Sequence, residues 1–200
     1  MIIVLEEVIG ISLIVVIGIV AVVVVVPLIV LAILYNILVS KRNQVDNAFA
    51  SVDVHLKKRY DLIPNLVETV KGYASHEKEV FLRVTEARAS MANATNVGEK
   101  SQANNLLESA VKSLFAVAEN YPQLKASENF LHLQAALTEV EEQLSAARRA
   151  YNASVLEYNN AVEMFPTNIA ASMTGHKRRQ FFEISQDEKR VPDAPASLNR

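Results

Sequence analysis

The side chains that most often perform catalysis or bind metal ions are few in this sequence and widely separated. No cysteine is present, which excludes thiol catalysis and cysteine-ligated metal sites. The Glu-x-x-His pairs with which helical bundles hold two metal ions are also missing. Glu128 and His132 are four residues apart, but a surface pair on a helix explains that spacing better than a shared ligand does. The sequence therefore predicts no metal site.

The local motifs of common enzyme classes are absent as well. The sequence contains no G-x-S-x-G, no phosphate-binding Walker loop and no H-E-x-x-H. Two of its five glycines lie in the apolar N-terminal region, so the others cannot build a glycine-rich phosphate loop. We expect a protein without enzymatic activity and without a cofactor.

A set of polar residues next to apolar helical positions remains. Asn152 and Asn159 are seven residues apart, so a helix places them on one face. An asparagine on such a face fixes the register of packing, because a slip would leave its amide unpaired at a cost of roughly 1–3 kcal/mol. Two interpretations stay open: a structural polar seam, which we favour, or a face that docks a partner. The residues concerned are Arg42, Asn43, Arg59, Asp61, Asn65, Tyr151, Asn152, Tyr158 and Asn159.

The stretch RYDLIPNLV, which begins at Arg59, places a proline inside a helical pattern. Proline is favoured in the first turn of a helix, and an aspartate just before that turn can accept a free backbone N–H. We therefore predict that one helix ends near Tyr60 and that the next begins between Asp61 and Pro64. The alternative is one long helix that is kinked at Pro64.

The N-terminal region is predicted to cross a membrane. The 33 positions from Val8 to Ser40 contain no charged residue, whereas a bilayer core about 30 Å thick needs roughly 20 helical residues. The acidic start and the length of the run argue against a cleaved signal peptide. We predict a transmembrane helix over residues 8–39 after a short extracytoplasmic N-terminus, residues 1–7.

The charges that flank this run predict its orientation. Lys41 and Arg42 follow it directly, and no Lys or Arg precedes it, so the positive-inside rule places residues 40–200 in the cytoplasm, with the helical bundle at residues 40–184. Tyr35 suits the membrane boundary, and Lys41 could contact headgroups. Once Glu6 and Glu7 are set aside, 20 basic residues face 20 acidic ones, which is no footprint for nucleic acid.

A second basic cluster lies near the C-terminus, where Lys177, Arg178 and Arg179 precede Phe181 and Phe182. Two interpretations are open for it. The cluster could contact lipid headgroups if the chain folds back towards the membrane. We favour a strap that closes the bundle and buries both phenylalanines.

Apolar residues recur at helical spacing through the rest of the chain. The first stretch, which continues the membrane helix, comprises Val45, Ala48, Val52 and Leu56. The second stretch comprises Leu66, Val70, Tyr73, Val80, Val84, Ala87 and Met91, and the third Ala103, Leu106, Ala110, Leu114, Val117 and Tyr121. The fourth forms a heptad-like seam of Phe130, Leu133, Leu137, Val140, Leu144, Ala147, Tyr151, Val155, Tyr158, Val162 and Phe165. We predict an all-α fold in which the transmembrane helix continues into an antiparallel, four-helix-type bundle of long helices.

Breakers mark the expected ends of these helices. A loop is predicted around Gly98, the third helix stops near Pro122, Ser127 caps the fourth, and Pro166 ends it. Residues 185–200 are predicted to form a flexible tail, because they are polar and rich in proline.

The motifs RYDLIPNLV, YPQLKASENFLHLQ and YNASVLEYNN together resemble the LemA family of bacterial membrane-anchored proteins. The resemblance extends from about Tyr35 to about Phe182. It implies one membrane helix, a cytoplasmic helical bundle and residence in the bacterial inner membrane, and it supplies no established reaction. His176 departs from the family pattern, in which an aromatic residue is commoner at that position.

These observations favour a membrane-anchored scaffold that self-assembles or recruits partners at the cytoplasmic face. The expected partners are membrane lipid, further copies of the chain and other membrane proteins. The alternative is a regulatory sensor or adaptor for a membrane protease or an envelope-stress system, which would act through a polar groove of the bundle.

Overall fold

The computed structural model describes residues 2–183 and confirms the all-α fold. Within these residues there are six helices and no β-strand. The helices are α1 (Ile2–Lys71), α2 (Lys78–Asn93), α3 (Val97–Glu119), α4 (Pro122–Lys125), α5 (Glu128–Glu163) and α6 (Thr167–Thr174). Met1 and the predicted tail at residues 185–200 lie outside the described residues.

Helix α1 is continuous through Pro64, so the predicted boundary between Asp61 and Pro64 is wrong. Asp61 caps nothing; its carboxylate pairs with Lys57 at 2.7 Å. An internal proline costs about 3 kcal/mol, because it removes one helical hydrogen bond and crowds the preceding turn. Ile63 and Leu66, on either side of it, are fully buried, and each such burial stabilises the fold by roughly 1.5–3 kcal/mol. Packing therefore outweighs the local preference for a break.

The chain turns instead between Gly72 and Glu77, inside the stretch predicted as the second helix. The carbonyl of Val70 accepts from the backbone N–H groups of both Tyr73 and Ala74, at 3.1 and 2.9 Å. This shared acceptor closes the last turn of α1, and Ala74 is buried just beyond it. The predicted apolar positions on either side of the turn are thus divided between α1 and α2.

Helix α3 begins with a capping box rather than after a loop at Gly98. The Asn96 side chain accepts from the backbone N–H of Glu99, and the Glu99 carboxylate accepts from the N–H groups of Asn96 and Thr95. These bonds hold the pKa of Glu99 below its ordinary value, with the Thr95 backbone bond the largest cause. Gly98 therefore lies in the first turn of α3, and the connection from α2 is shorter than predicted.

The predicted ends of the remaining helices are close to those observed. Helix α3 ends at Glu119, and α5 begins at Glu128, where the Ser127 carbonyl accepts from Leu131 N–H at 3.0 Å. Helix α5 ends at Glu163, before the cis Phe165–Pro166 peptide bond. The short helices α4 and α6 were not expected from the sequence, because each is too short for a periodic apolar pattern.

The described chain divides into two compact units. The first unit contains α1 up to Gln44 together with Leu156–Arg179, and the second contains Val45–Val155 and the segment that starts at Gln180. The core of the second unit draws buried residues from α1, α2, α3, α4 and α5. Because short connections join α1 to α2 and α2 to α3, these helices are expected to run antiparallel to their neighbours.

Most predicted apolar positions are buried or partly buried, with three clear exceptions. Tyr73 is exposed, because it lies in the turn between α1 and α2 and not within a helix. On α3 the core residue is Leu107, whereas the predicted Leu106 is exposed. On α5 the buried seam runs from Phe130 to Tyr158, but Phe165 is 79% exposed. The helix has ended before Phe165, so the heptad spacing no longer applies there.

Candidate functional site: the tethered polar face and a basic cleft

A segment without helix or strand, residues 176–183, follows Gly175 after α6, and we call it the strap. Gly175 ends α6 in the left-handed conformation, with φ of 73°. The N–H of His176 then bonds back to the Ala171 carbonyl at 3.0 Å. A positive φ at this cap is favourable only for glycine, since a side chain there costs roughly 1–2 kcal/mol. Helix α6 therefore ends at Gly175, and the strap begins at the next residue.

In the first unit, α5 tethers the strap through Asn159. The Asn159 carboxamide donates to the Arg179 carbonyl at 3.0 Å and accepts from the Arg179 N–H at 2.9 Å. The neighbouring Tyr158 hydroxyl lies 3.0 Å from Nδ1 of His176. Both backbone groups of one extended residue are thus satisfied by a single side chain, as they would be by an adjacent β-strand.

In the second unit, Asn152 makes the same reciprocal pair with Phe182. Its carboxamide donates to the Phe182 carbonyl at 3.0 Å and accepts from the Phe182 N–H at 2.8 Å. The Tyr151 hydroxyl donates to the Gln180 carbonyl, and Ser101 of α3 donates to the Glu183 carbonyl, each at 2.8 Å. Phe182 is buried as predicted, whereas Phe181 is partly exposed.

The spacing of the two Tyr-Asn pairs in the sequence matches the spacing of their partners. Asn152 and Asn159 are seven helical residues apart, which corresponds to a rise of about 10.5 Å. Their partners Phe182 and Arg179 are three residues apart, a separation that a fully extended chain spans with about 10 Å. A repeated Tyr-Asn dipeptide on a helix is therefore suited to hold an extended chain. This explanation of the YNASVLEYNN motif needs no external ligand.

Arg59 lies in a buried ionic cluster of the second unit. Its guanidinium contacts Glu141 at 2.6 Å and donates to the Asn104 side-chain oxygen at 3.2 Å. The other oxygen of Glu141 lies 2.9 Å from Arg148. The two arginines are almost completely buried and share one carboxylate. Such a group is strongly destabilised when a single member is removed.

The sequence singled out Arg59 but neither Glu141 nor Asn104. A buried Asn104 on α3 looks like any polar residue of a helix surface, and Glu141 resembles its exposed neighbour Glu142. Only the approach of three helices, from positions far apart in the sequence, turns them into a cluster. The signal available from the sequence was Arg148, a charged residue directly beside Ala147 of the apolar seam of α5.

The other predicted polar residues do not join these sites. Asn43, Asp61 and Asn65 are exposed on α1. The only side-chain contact that Asp61 makes among the described hydrogen bonds and ion pairs is the one with Lys57, and the Asn65 carbonyl accepts from the Thr69 hydroxyl at 2.8 Å. Eight of the nine residues of the predicted polar face are therefore divided between tethers, an ionic cluster and solvent, and the ninth, Arg42, lines a cleft of the first unit.

A basic cleft of about 280 Å³ lies in the first unit. It is lined by Arg42, Tyr158, Thr174, Gly175, His176, Lys177, Arg178 and Arg179. The predicted membrane-contact residues are close to it: Tyr35 stacks edge-on against His176 with ring centroids 6.2 Å apart, and Lys41 pairs with Glu157. Arg178 pairs with Glu163 at 3.1 Å. The His176 ring thus contacts an aromatic side chain, although His176 departs from the aromatic residue that the family resemblance implies at this position.

A second cleft, of about 380 Å³, lies in the second unit. Its lining is largely apolar and includes Leu56, Tyr60 and Met91. Lys100 and Asp53 form an ion pair at 2.7 Å at its edge. In the part of the chain with described side chains, no group of three or more His, Asp or Glu residues is placed to hold a metal ion.

Comparison with known proteins assigns the chain to a family. The model of the LemA family matches residues 48–194. The chain belongs to the LemA family. Relatives include magnetosome protein MamQ 2 of Paramagnetospirillum magneticum, 25% identical over 187 residues, which cover 80% of this chain and 67% of that protein. Protein LemA of Metamycoplasma hominis is 26% identical over 156 residues, and the alignment covers 77% of this chain and 71% of that protein.

The LemA-family match starts at residue 48, after the apolar part of α1. Among the described residues α1 is the one helix that is long and apolar enough to cross a membrane, and none of its most apolar stretch is buried inside the protein. A core helix of a soluble protein would be covered by other elements. The exposure and the length together indicate that this LemA-family chain carries a membrane anchor.

Proposed function

We propose that this LemA-family chain is a membrane-anchored helical scaffold that self-assembles or recruits other membrane proteins. The observation that carries the proposal is the composition of α1. One helix contains the exposed apolar stretch and also the buried residues Val52, Leu56 and Ile63 of the second unit. An anchor and a packed helical body are therefore built on the same element.

A role without catalysis is supported by the use of the polar residues. Asn152, Asn159 and the hydroxyls of Tyr151 and Tyr158 bond to the chain's own strap. Arg59 and Arg148 are paired in the interior. A catalytic site needs reactive groups that reach a substrate in a cleft. The names of the relatives, magnetosome protein MamQ and protein LemA, mention no reaction.

The proposed location is the bacterial inner membrane, with the N-terminus outside and the body of the chain in the cytoplasm. The basic residues Lys41 and Arg42 follow the apolar stretch and support this orientation. Lipid and further copies of the chain are the proposed partners. The balanced charge of the remaining residues gives no support to nucleic-acid binding.

The mass of the protein extracted in detergent tests self-assembly. Light scattering, with the detergent contribution subtracted, is expected to give a multiple of the 22.1 kDa chain mass. Repeating the measurement over a range of protein and detergent concentrations controls for copies that merely share a micelle. A single chain mass under all conditions contradicts self-assembly and leaves recruitment of other proteins.

The second candidate is the regulatory adaptor for a membrane protease or an envelope-stress system, which the sequence predicts to act through a polar groove. Because Asn152 and Asn159 bond to the strap, the surface we propose for the adaptor is instead the apolar cleft beside Tyr60. It is open to solvent in the second unit and is not occupied by the strap. A photo-crosslinking residue at Met91 in cells is expected to capture one non-self membrane protein if this candidate is right. The same probe at the exposed Leu82 is the control. Equal products from both positions contradict the adaptor.

A further inference from the structure

A group of large apolar side chains is exposed where α5 meets α6. Met164, Phe165, Ile169 and Met173 form this group, which we call the apolar corner. Phe165 is 79% exposed, the highest value among the large hydrophobic side chains described. Single exposed apolar residues are ordinary, but four within ten positions of one corner mark a surface that contacts something other than water.

The apolar corner belongs to the element that packs on the end of the membrane helix. The opposite face of α6 buries Ala170 and Ala171 against Leu38, with Leu34 at the edge of the same cluster. Leu34 and Leu38 are the last leucines of the charge-free run of α1. The apolar corner therefore lies, within the first unit, on and just before the helix that packs against the last apolar turns of the charge-free run.

Basic side chains accompany the apolar corner. Lys177, Arg178 and Arg179 follow α6 directly and, with Arg42, line the basic cleft. The described side chains of the first unit include five Lys or Arg residues against two glutamates. Apolar side chains next to Lys and Arg are the composition of segments that lie in the surface of an anionic bilayer.

We propose that the apolar corner inserts into the surface of an anionic bilayer as a second membrane contact beside α1, while the basic cleft holds a lipid phosphate. A bilayer is the occupant that suits both features, because it offers acyl chains and anionic headgroups side by side. Tyr35, which contacts His176 at the cleft, is a residue type that favours this boundary. The inference rests on the proposed function only for the anchoring of α1.

This contact also assigns a depth to the membrane helix. The charge-free run of 33 residues would extend about 50 Å as a helix, against a hydrocarbon core of about 30 Å. The run alone leaves the position of the bilayer along α1 open by more than ten residues. Insertion of the apolar corner places the cytoplasmic boundary near Leu34–Leu38, where α6 packs.

Spin labels on the full chain in vesicles test the inference. Because the sequence has no cysteine, one label can be attached at F165C, M173C, V23C or L82C. Val23 lies in the exposed apolar stretch of α1, and Leu82 is an exposed apolar residue of the second unit. The vesicles contain phosphatidylcholine with or without phosphatidylglycerol, and collisions with oxygen and with a water-soluble nickel complex report the depth of each label.

Labels at F165C, M173C and V23C are expected to collide preferentially with oxygen, and the label at L82C with the nickel complex. Removing phosphatidylglycerol, or adding Lys177→Gln, is expected to make M173C shallower without changing V23C. If the label at V23C lies in the bilayer while the label at F165C lies in water, this inference is overturned and the anchor stands. An aqueous V23C overturns the anchor itself. Dipolar broadening at F165C without oxygen preference shows that a second copy covers the corner and also overturns the inference.

Discussion

Asn159 satisfies two backbone groups of Arg179 with one side chain, and it is almost completely buried. A buried backbone N–H or carbonyl that loses its partner retains the full cost of its lost hydration. The two Tyr-Asn pairs of α5 are therefore expected to contribute to stability through the strap that they hold. No partner molecule is required for that contribution.

Replacing Asn159 by alanine tests this role. We expect Asn159→Ala to lower the free energy of unfolding by roughly 1–3 kcal/mol and to speed amide exchange at Arg179. The matched control is Asn160→Ala, because Asn160 is exposed on the next position of α5; its effect is expected within about 0.5 kcal/mol. Denaturant unfolding in detergent and hydrogen exchange provide the measurements. Equal stability of the two variants would contradict the tether.

Glu141, like Asn159, is expected to contribute to the free energy of unfolding, and its contribution is larger than its partial exposure suggests. Glu141→Gln leaves Arg59 and Arg148 buried without the carboxylate that both contact, and we expect a loss of the order of 3 kcal/mol. Glu142→Gln, at the exposed neighbouring position, is expected to be nearly neutral. Unfolding in detergent again measures both. A neutral Glu141→Gln would show that the cluster does not depend on the charge.

At the scale of elements, α1 illustrates how packing overrides a local signal. Pro64 and Asp61 together form a good helix start, and the sequence alone favoured a boundary there. The helix continues because Ile63, Leu66 and Val70 occupy the core of the second unit. The turn that occurs begins at Gly72, a residue at which no helix boundary was predicted from the sequence.

Substitution of Pro64 distinguishes a tolerated proline from a required one. Pro64→Ala restores a backbone donor within reach of the Tyr60 carbonyl, so we expect the free energy of unfolding to rise by roughly 1–3 kcal/mol. Ala50→Pro, in a described helical stretch of the same α1 at an exposed position, is the converse control and is expected to destabilise. Unfolding followed by circular dichroism measures both changes. A destabilised Pro64→Ala would show that α1 needs the local geometry of proline.

The helices that periodicity predicts best are those with a single apolar face along their whole length. Residues Phe130 to Tyr158 of α5 fulfil that condition, and their burial followed from the sequence. The pattern misassigned Tyr73, Leu106 and Phe165. Tyr73 lies in a turn, adjacent leucines on α3 fit a helical stripe equally well, and α5 ends before the repeat does. Helix ends depend on caps and on neighbours, which periodicity does not contain.

At the scale of the whole molecule, the all-α class, the apolar anchor helix and the family could be predicted from the sequence. Composition and periodicity determine the first two, since both are properties of contiguous stretches. The candidate sites could be predicted only in part. Asn152 and Asn159 stood out by their spacing, but their partners lie 30 and 20 residues further along the chain. The cluster of Arg59, Glu141 and Asn104 depends on contacts of longer range still.

The position of the strap in the chain has a consequence for biosynthesis. A ribosome completes every described helix, α5 included, before it synthesises the backbone groups that Asn152 and Asn159 bind. A nascent chain that stalls after α6 presents these carboxamides, together with the hydroxyls of Tyr151 and Tyr158, to water or to chaperones. Arrival of residues 176–183 then converts a set of solvated polar groups into a closed surface. Translation of the strap is therefore the step that completes the described packing of α5.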